Sequence, residues 1–283
     1  MPGSAVGTPV GSGRTSCAAA RYRRAVADSD DLYRQRDRAD SFGGAARAYD
    51  QHRPRYPEPM LDELVGSASL RVLDVGAGTG IASRQLLARG ADLVALEPDP
   101  RMAEIAANHG VTVEVATFED WDDAGRMFDV ILFAQSFHWV DPAVALPKIR
   151  RVLAPGGRLA LAWNRLFPVE PSRADFAEVY RDFLDAASPL VTATPTGGTG
   201  SGMDSADVVA TIEAAGFAVQ QHTYERGERY SSQQWLDLVF TYSNHLVLSA
   251  DRAADMRRRL AAVIGDGGVQ VGGDTLLIVA QPV

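Results

Sequence analysis

A single cysteine, Cys17, excludes an internal disulfide framework and any cysteine-built zinc site. No apolar run approaches the roughly 20 residues that span a bilayer. The opening Met1-Pro2-Gly3-Ser4 lacks the basic stretch and apolar core of a secretory signal. A soluble, cytoplasmic protein with no membrane partner is the expectation. Positive charge is in deficit: 28 Lys and Arg face 36 Asp and Glu, for a formal net charge of −8 and a pI near 5.2. That balance argues against a general nucleic-acid or anionic-membrane surface, though it leaves room for a local basic groove. Lysine occurs once, at Lys148, and the use of arginine elsewhere reads as coding bias. The histidines His52, His109, His222 and His245 have no metal-ligand spacing, and there is no HExxH or clustered-carboxylate motif, so no metal is expected. What the chain does have is a hydrophobic fraction of 46% over 283 residues, enough to bury a sizeable core.

Arg71-Val72-Leu73-Asp74-Val75-Gly76-Ala77-Gly78-Thr79-Gly80-Ile81 organises the rest. It reads as a buried strand, a glycine-rich turn and a helix to about Arg89. Glycines there allow backbone angles closed to other residues and let a ligand approach the main chain. A dinucleotide fingerprint runs Gly-x-Gly-x-x-Gly and delivers a pyrophosphate to the helix N-terminus. Here Ile81 occupies the place of the last dinucleotide glycine, and Asp74 stands two residues before the first. A carboxylate at the entrance suits a positively charged ligand better than a pyrophosphate. A second strand, Leu93 to Leu96, ends on Glu97, about 20 residues past the first glycine, where an acid can accept hydrogen bonds from both hydroxyls of a ribose.

These features resemble the class I S-adenosylmethionine (SAM)-dependent methyltransferases, whose first motif is Asp/Glu-x-Gly-x-Gly-x-Gly. Residues 152–157, Val-Leu-Ala-Pro-Gly-Gly, and the order of five strands between about 42 and 165 extend the likeness. The resemblance implies an α/β fold, a Rossmann-like seven-stranded sheet with helices on both faces and a helical substrate cap. It implies SAM as cofactor, held by Asp74, Gly76, Gly78, Gly80, Glu97, Pro98 and Gln135, with Met102 against the adenine. An N-terminal lid helix would bring Tyr49 over the methionyl end and Arg53 to its carboxylate; packing alone is the other reading of both. Where the family commonly places an acid for the adenine amine, this chain has Thr117, which leaves that contact open among Thr117, the Phe118 backbone and Glu119.

Residues 1–40, rich in Gly, Ser, Ala, Arg and Asp, are expected to form a flexible tail. The methyltransferase domain is expected over 41–283, with cap insertions at about 166–204 and 231–265 and a Thr/Gly/Ser-rich loop from Thr192 to Gly202. Strands are expected over Val111–Val115, Phe128–Ala134, Arg158–Trp163, Phe217–Tyr224 and Thr275–Gln281, the last antiparallel if the family pattern holds. After the fourth strand come Gln135-Ser136-Phe137-His138-Trp139, at the edge where open α/β sheets collect ligands. A His-Trp pair there is similar to the trans-aconitate-type small-molecule methyltransferases. His138 is the candidate catalytic base for a hydroxyl acceptor, or a donor that orients a carboxylate. Trp139, Trp163 and Asn164 are the other candidate acceptor contacts. The reading is methyl transfer to a carboxyl or hydroxyl oxygen of a small molecule. Its rivals are a SAM-binding member that does not methylate, an NAD(P)-dependent oxidoreductase, and a nucleic-acid methyltransferase. The second lacks a Tyr-x-x-x-Lys pair; the third lacks an Asn/Asp-Pro-Pro-Tyr/Phe motif and fits the acidic charge poorly.

Overall fold

The structure is a computed structural model that describes residues 41–66, 69–186, 188–192 and 205–283. The tail expected over 1–40 and most of the loop expected over Thr192 to Gly202 lie outside the described residues. Among the described residues, no helix is long and apolar enough to cross a membrane.

The elements that position the site are α1 (Ala46–His52), α2 (Glu58–Val65), β1 (Arg71–Val75), α3 (Ile81–Leu87), β2 (Asp92–Leu96), α4 (Pro100–Asn108), β3 (Val113–Glu114), β4 (Phe128–Ala134), α5 (Pro142–Val152) and β5 (Leu153–Glu170). They are followed by α6 (Arg173–Tyr180), α7 (Pro189–Thr192), α8 (Ser205–Ala214), β6 (Phe217–Tyr230), α9 (Ser232–Val239), α10 (Ser243–Leu246), α11 (Ala250–Ile264) and β7 (Val269–Pro282). Seven strands form one sheet in the order β3-β2-β1-β4-β5-β7-β6. β1 to β5 run parallel, and β7 runs antiparallel to both β5 and β6. This is the Rossmann-like architecture expected from the sequence.

Strand alternation sorts the core. Leu73, Val75, Ile131, Phe133, Leu159 and Leu161 face α5 and α8, meeting Leu146, Ile149 and Ile212. Val72, Leu132, Ala160 and Ala162 face the opposite side, meeting Leu61 and Leu64 of α2 and Ile81 and Leu86 of α3. Both faces of β1 are covered, which is why its sequence after Arg71 is apolar apart from Asp74.

Three strands overrun their expected ends. β5, β6 and β7 extend beyond the shared sheet, with Arg165 opposite Asp274 and Arg226 opposite Gly273. The bidentate pair from Arg165 to Asp274, at 2.5 and 2.6 Å, ties β5 to β7 there. This extension carries Val269 and Val271 into a third apolar cluster with Phe176 and Tyr180 of α6, Trp235 and Leu238 of α9, and Met256 and Leu260 of α11. Conversely, β3 is shorter than expected, and Val111 instead packs beside Ala106. The helical run from Ser232 to Leu246 is broken between α9 and α10, where the Thr241 hydroxyl donates back to the Leu238 carbonyl at 2.6 Å.

Candidate active site

Gly76, Gly78 and Gly80 all have left-handed backbones, with φ of +67°, +59° and +78°. That conformation turns the chain from β1 into α3, and the Gly76 and Ala77 N–H groups both donate to the Leu96 carbonyl, at 2.8 and 3.0 Å. The turn is thereby stitched to the end of β2. At Gly76 an added Cβ would lie 2.6 Å from Ser136 Cβ; at Gly78 it would lie 3.4 Å from Met102 Cε and 3.8 Å from Tyr49 Cε1. Met102 and Tyr49, both expected at the cofactor, therefore converge on the bare main chain of Gly78.

Glu97 directly follows β2, almost wholly buried, and accepts from the Gly78 N–H at 2.8 Å on one oxygen and from the Asp99 N–H at 2.9 Å on the other. Asp99 in turn caps α4 through the Arg101 N–H, and Pro98 makes the bend between them. A carboxylate accepts about four hydrogen bonds, so Glu97 keeps capacity for a vicinal diol. Asp74 is fully buried; one oxygen accepts from the Ser83 hydroxyl at 2.6 Å, and the other, Oδ1, has no partner among the described residues. Burial pushes the Glu97 carboxyl up to about 7 against the pull of the Asp99 and Gly78 amides, and the nearby Asp99 and Asp74 charges add to the rise. Burial likewise pushes Asp74 up to about 6, opposed by Ser83. Two acids so placed favour a ligand that brings positive charge and hydroxyl donors. A pyrophosphate would bring like charge to both.

The other expected site residues divide into those gathered at this edge and those committed elsewhere. Gln135 follows β4 with a left-handed backbone, φ +62°, and its N–H donates to the Ala162 carbonyl at 2.8 Å. A non-glycine residue held there stores strain of the kind that collects at functional sites. Ser136 donates its hydroxyl to the Val75 carbonyl, joining the end of β4 to the glycine turn. Phe137–Trp139 is a 3₁₀ turn in which the His138 and Trp139 rings sit 4.8 Å apart. Trp139 meets Phe42 edge-on at 6.1 Å, and Phe42 meets Tyr49 at 5.8 Å, so an aromatic string runs from the turn to His138.

Arg53 is engaged by protein partners on two of its three guanidinium nitrogens. Its guanidinium lies 4.7 Å from the Tyr49 ring centroid and 4.6 Å from that of Tyr242, and it donates to the hydroxyl and carbonyl of Thr241, each at 2.9 Å. It clamps the chain after α1 to the break between α9 and α10. Trp163 is wholly buried in the first core and presents no surface to an acceptor. Asn164 spends its amide within the protein, accepting from Thr275 at 2.7 Å and Arg226 at 3.2 Å and reaching the Pro54 carbonyl at 3.4 Å. Thr117 closes its own turn, donating to Asp120 at 2.8 Å, and the Glu119 carboxylate accepts from the Asp141 N–H at 3.0 Å. Phe118 is buried. Sequence reasoning missed Ser83, Ser136 and Thr241, whose roles come from partners distant in the chain. The nearest signal was a hydroxyl beside a motif.

Residues 73–161 match the family described as "Methyltransferase domain". An uncharacterised methyltransferase of Mycobacterium tuberculosis is 46% identical over 132 residues, which cover 46% of this chain and 54% of that protein. The chain thus spans about half the length of that curated relative. A ubiquinone biosynthesis O-methyltransferase of Cereibacter sphaeroides is 38% identical over 95 residues, 31% of this chain and 38% of that one. Among solved structures, a candidate type II methyltransferase from Anaeromyxobacter dehalogenans superposes with a TM-score of 0.55 at 23% identity, covering 81% of this chain and 97% of its own. That likeness establishes the fold.

Proposed function

We propose, from the methyltransferase-domain match over residues 73–161 and the shared fold, that the chain is a class I SAM-dependent methyltransferase that transfers the methyl group of SAM to a carboxyl or hydroxyl oxygen of a small molecule. The observation that carries this reading is the pair of buried carboxylates at the glycine turn. Asp74 has an unpartnered oxygen, and Glu97 has spare acceptor capacity beside the bare backbone of Gly78. These residues fit a sulfonium adenosine better than a dinucleotide. Bound there, SAM would supply an electrophilic methyl on a positively charged sulfur.

In this reading Glu97 holds the ribose hydroxyls, Asp74 faces the positive end, and Met102 and Tyr49 bound the cofactor on the two sides of Gly78. Gln135, His138 and Trp139 line the route to the acceptor. Displacement at carbon needs collinear groups and dry walls more than it needs acid–base chemistry. The layer built by α6, α9 and α11, together with Phe42 and Tyr49, serves as the cap that orients the acceptor and excludes water. Arg53 holds lid and cap together. A carboxylate acceptor asks only that His138 orient it; a hydroxyl asks His138 to take its proton. The name of the Cereibacter relative adds weight to an oxygen acceptor.

Calorimetric titration with SAM, S-adenosylhomocysteine and NAD tests the cofactor. Binding of the first two and not the third is expected; NAD binding without SAM binding would sink the assignment. Incubating the protein with labelled SAM and a metabolite extract should then place label in the small-molecule fraction. Release of that label as methanol in mild base marks a carboxyl ester, whereas an ether keeps it. With the acceptor in hand, His138→Ala should slow a hydroxyl acceptor by roughly 10²–10⁴-fold. A mutant as fast as wild type excludes His138 as the base.

A further inference from the structure

The only lysine in the chain lies beneath the loop that follows β3. From α5, Lys148 Nζ donates to the Phe118 carbonyl at 2.7 Å, the Glu119 carbonyl at 3.1 Å and the Trp121 carbonyl. An ammonium has three donors and no acceptor, so all three are spent on one turn of main chain. The same charge sits 5.3 Å from the Phe118 ring centroid and 5.6 Å from that of Trp121. A second tie comes from the N-cap of α5, where the Asp141 N–H donates to the Glu119 carboxylate. The Trp121 N–H closes the turn on the Thr117 carbonyl at 3.0 Å.

Position gives this turn its role. Leu96 of β2 is in register with Glu114 of β3, so the loop leaves the sheet beside Glu97 at the ligand edge. A nucleoside whose ribose is held by Glu97 and whose sulfonium end faces Asp74 on β1 must extend its base the other way, toward β3 and this loop. In a planar trans peptide the C=O and the following N–H point oppositely. Drawing the Phe118 carbonyl onto Lys148 therefore turns the Glu119 N–H away from α5. That N–H has no partner among the described residues.

We propose that Lys148 is a positioning residue for adenine recognition, fixing the 118–121 main chain so that its outward N–H donates to a purine ring nitrogen. Adenine N1 is an acceptor and fits. Hypoxanthine carries a proton on N1 and presents a donor to a donor. The inference rests on the SAM reading above and adds to it a source of base specificity that touches the ligand only through the backbone.

The test compares S-adenosylhomocysteine with S-inosylhomocysteine by calorimetry, in wild type and in Lys148→Met. Wild type should prefer the adenine compound by tenfold or more. Lys148→Met should weaken S-adenosylhomocysteine about tenfold, change S-inosylhomocysteine little, and bring the ratio to within about threefold. If the variant fails to fold, reductive dimethylation of folded wild type supplies the second route. With one lysine to modify besides the terminal amine, it keeps the charge and removes two of the three N–H donors. The same collapse of the ratio is expected, and excess S-adenosylhomocysteine should slow the modification. An unchanged ratio with a lowered melting temperature would make Lys148 a structural tie and overturn the inference. Wild type that binds neither compound would overturn the methyltransferase reading itself, and this inference with it.

Discussion

Glu97→Ala is expected to weaken SAM binding by about 1–3 kcal/mol, roughly 5- to 150-fold, through the loss of charge-assisted hydrogen bonds to the ribose. The wild-type affinity should also depend on pH, and the sign follows from the burial of Glu97. Burial holds the Glu97 carboxyl at about 7, so near neutrality much of it is protonated. Ribose hydroxyls donating to both oxygens, and a sulfonium nearby, favour the carboxylate. Binding therefore expels a proton, and affinity falls as pH drops below about 7, approaching tenfold per unit. Asp74, at about 6, extends the slope further into acid. Titrations in buffers of different ionisation enthalpy should report proton release near pH 6.5, and Glu97→Gln should remove most of it. Because Glu97 also caps the Gly78 and Asp99 amides, the alanine variant will lose some stability without ligand. The glutamine variant retains one acceptor oxygen and separates that loss from the loss of binding. Buffer-independent binding heats would mean that Glu97 enters the complex already ionised, or that the ribose lies elsewhere.

Glu97 and the glycine turn were legible because their signals are local. A continuous apolar strand, a run of glycines and an acid at the next strand's end follow from backbone sterics and from period-2 burial. The seven-stranded sheet with its antiparallel last strand followed from the resemblance. The overruns of β5, β6 and β7 were hidden because Arg226-Gly227-Glu228-Arg229 and Gly272-Gly273-Asp274 carry turn-like residues. They are held extended by partners far away, Arg165 against Asp274 above all. The break between α9 and α10 was hidden for a similar reason. Thr241 leaves the helix to bond Leu238 and to receive Arg53, which lies 188 residues earlier in the chain. The sequence left Arg53 open between ligand and packing because nothing local signals the aromatic clamp of Tyr49 and Tyr242 around it. Trp163 and Asn164 sat at the right strand end, but alternation turned one into the core and the β7 register paired the other with Thr275.

Gly76→Ala should cost the protein both its cofactor site and part of its stability, and the two losses can be separated. At φ +67° an alanine carries a strain of about 1–2 kcal/mol. That alone should lower the melting temperature by a few degrees in a chain of this size. The added Cβ would also fall 2.6 Å from Ser136 Cβ, far inside contact. Ser136 cannot simply swing aside, because its hydroxyl is bonded to the Val75 carbonyl and Gln135 before it is already held left-handed. The clash must therefore move the turn or the 135–139 segment, the surfaces assigned to cofactor and acceptor. SAM affinity should fall by about 30-fold or more, the equivalent of some 2 kcal/mol. Gly90→Ala is the control for strain alone: φ is +84° and no atom lies within 4 Å of its added Cβ. It should lose similar stability and bind SAM as wild type does. Gly76→Ala with Ser136→Gly removes the clash and leaves the strain, so it should regain a large share of the affinity without regaining the melting temperature. If Gly76→Ala alone binds SAM normally, the bare main chain at 76 is not where the ligand lies. If the double variant regains nothing, the damage runs through backbone strain, and Ser136 is not the element that couples the turn to the acceptor side.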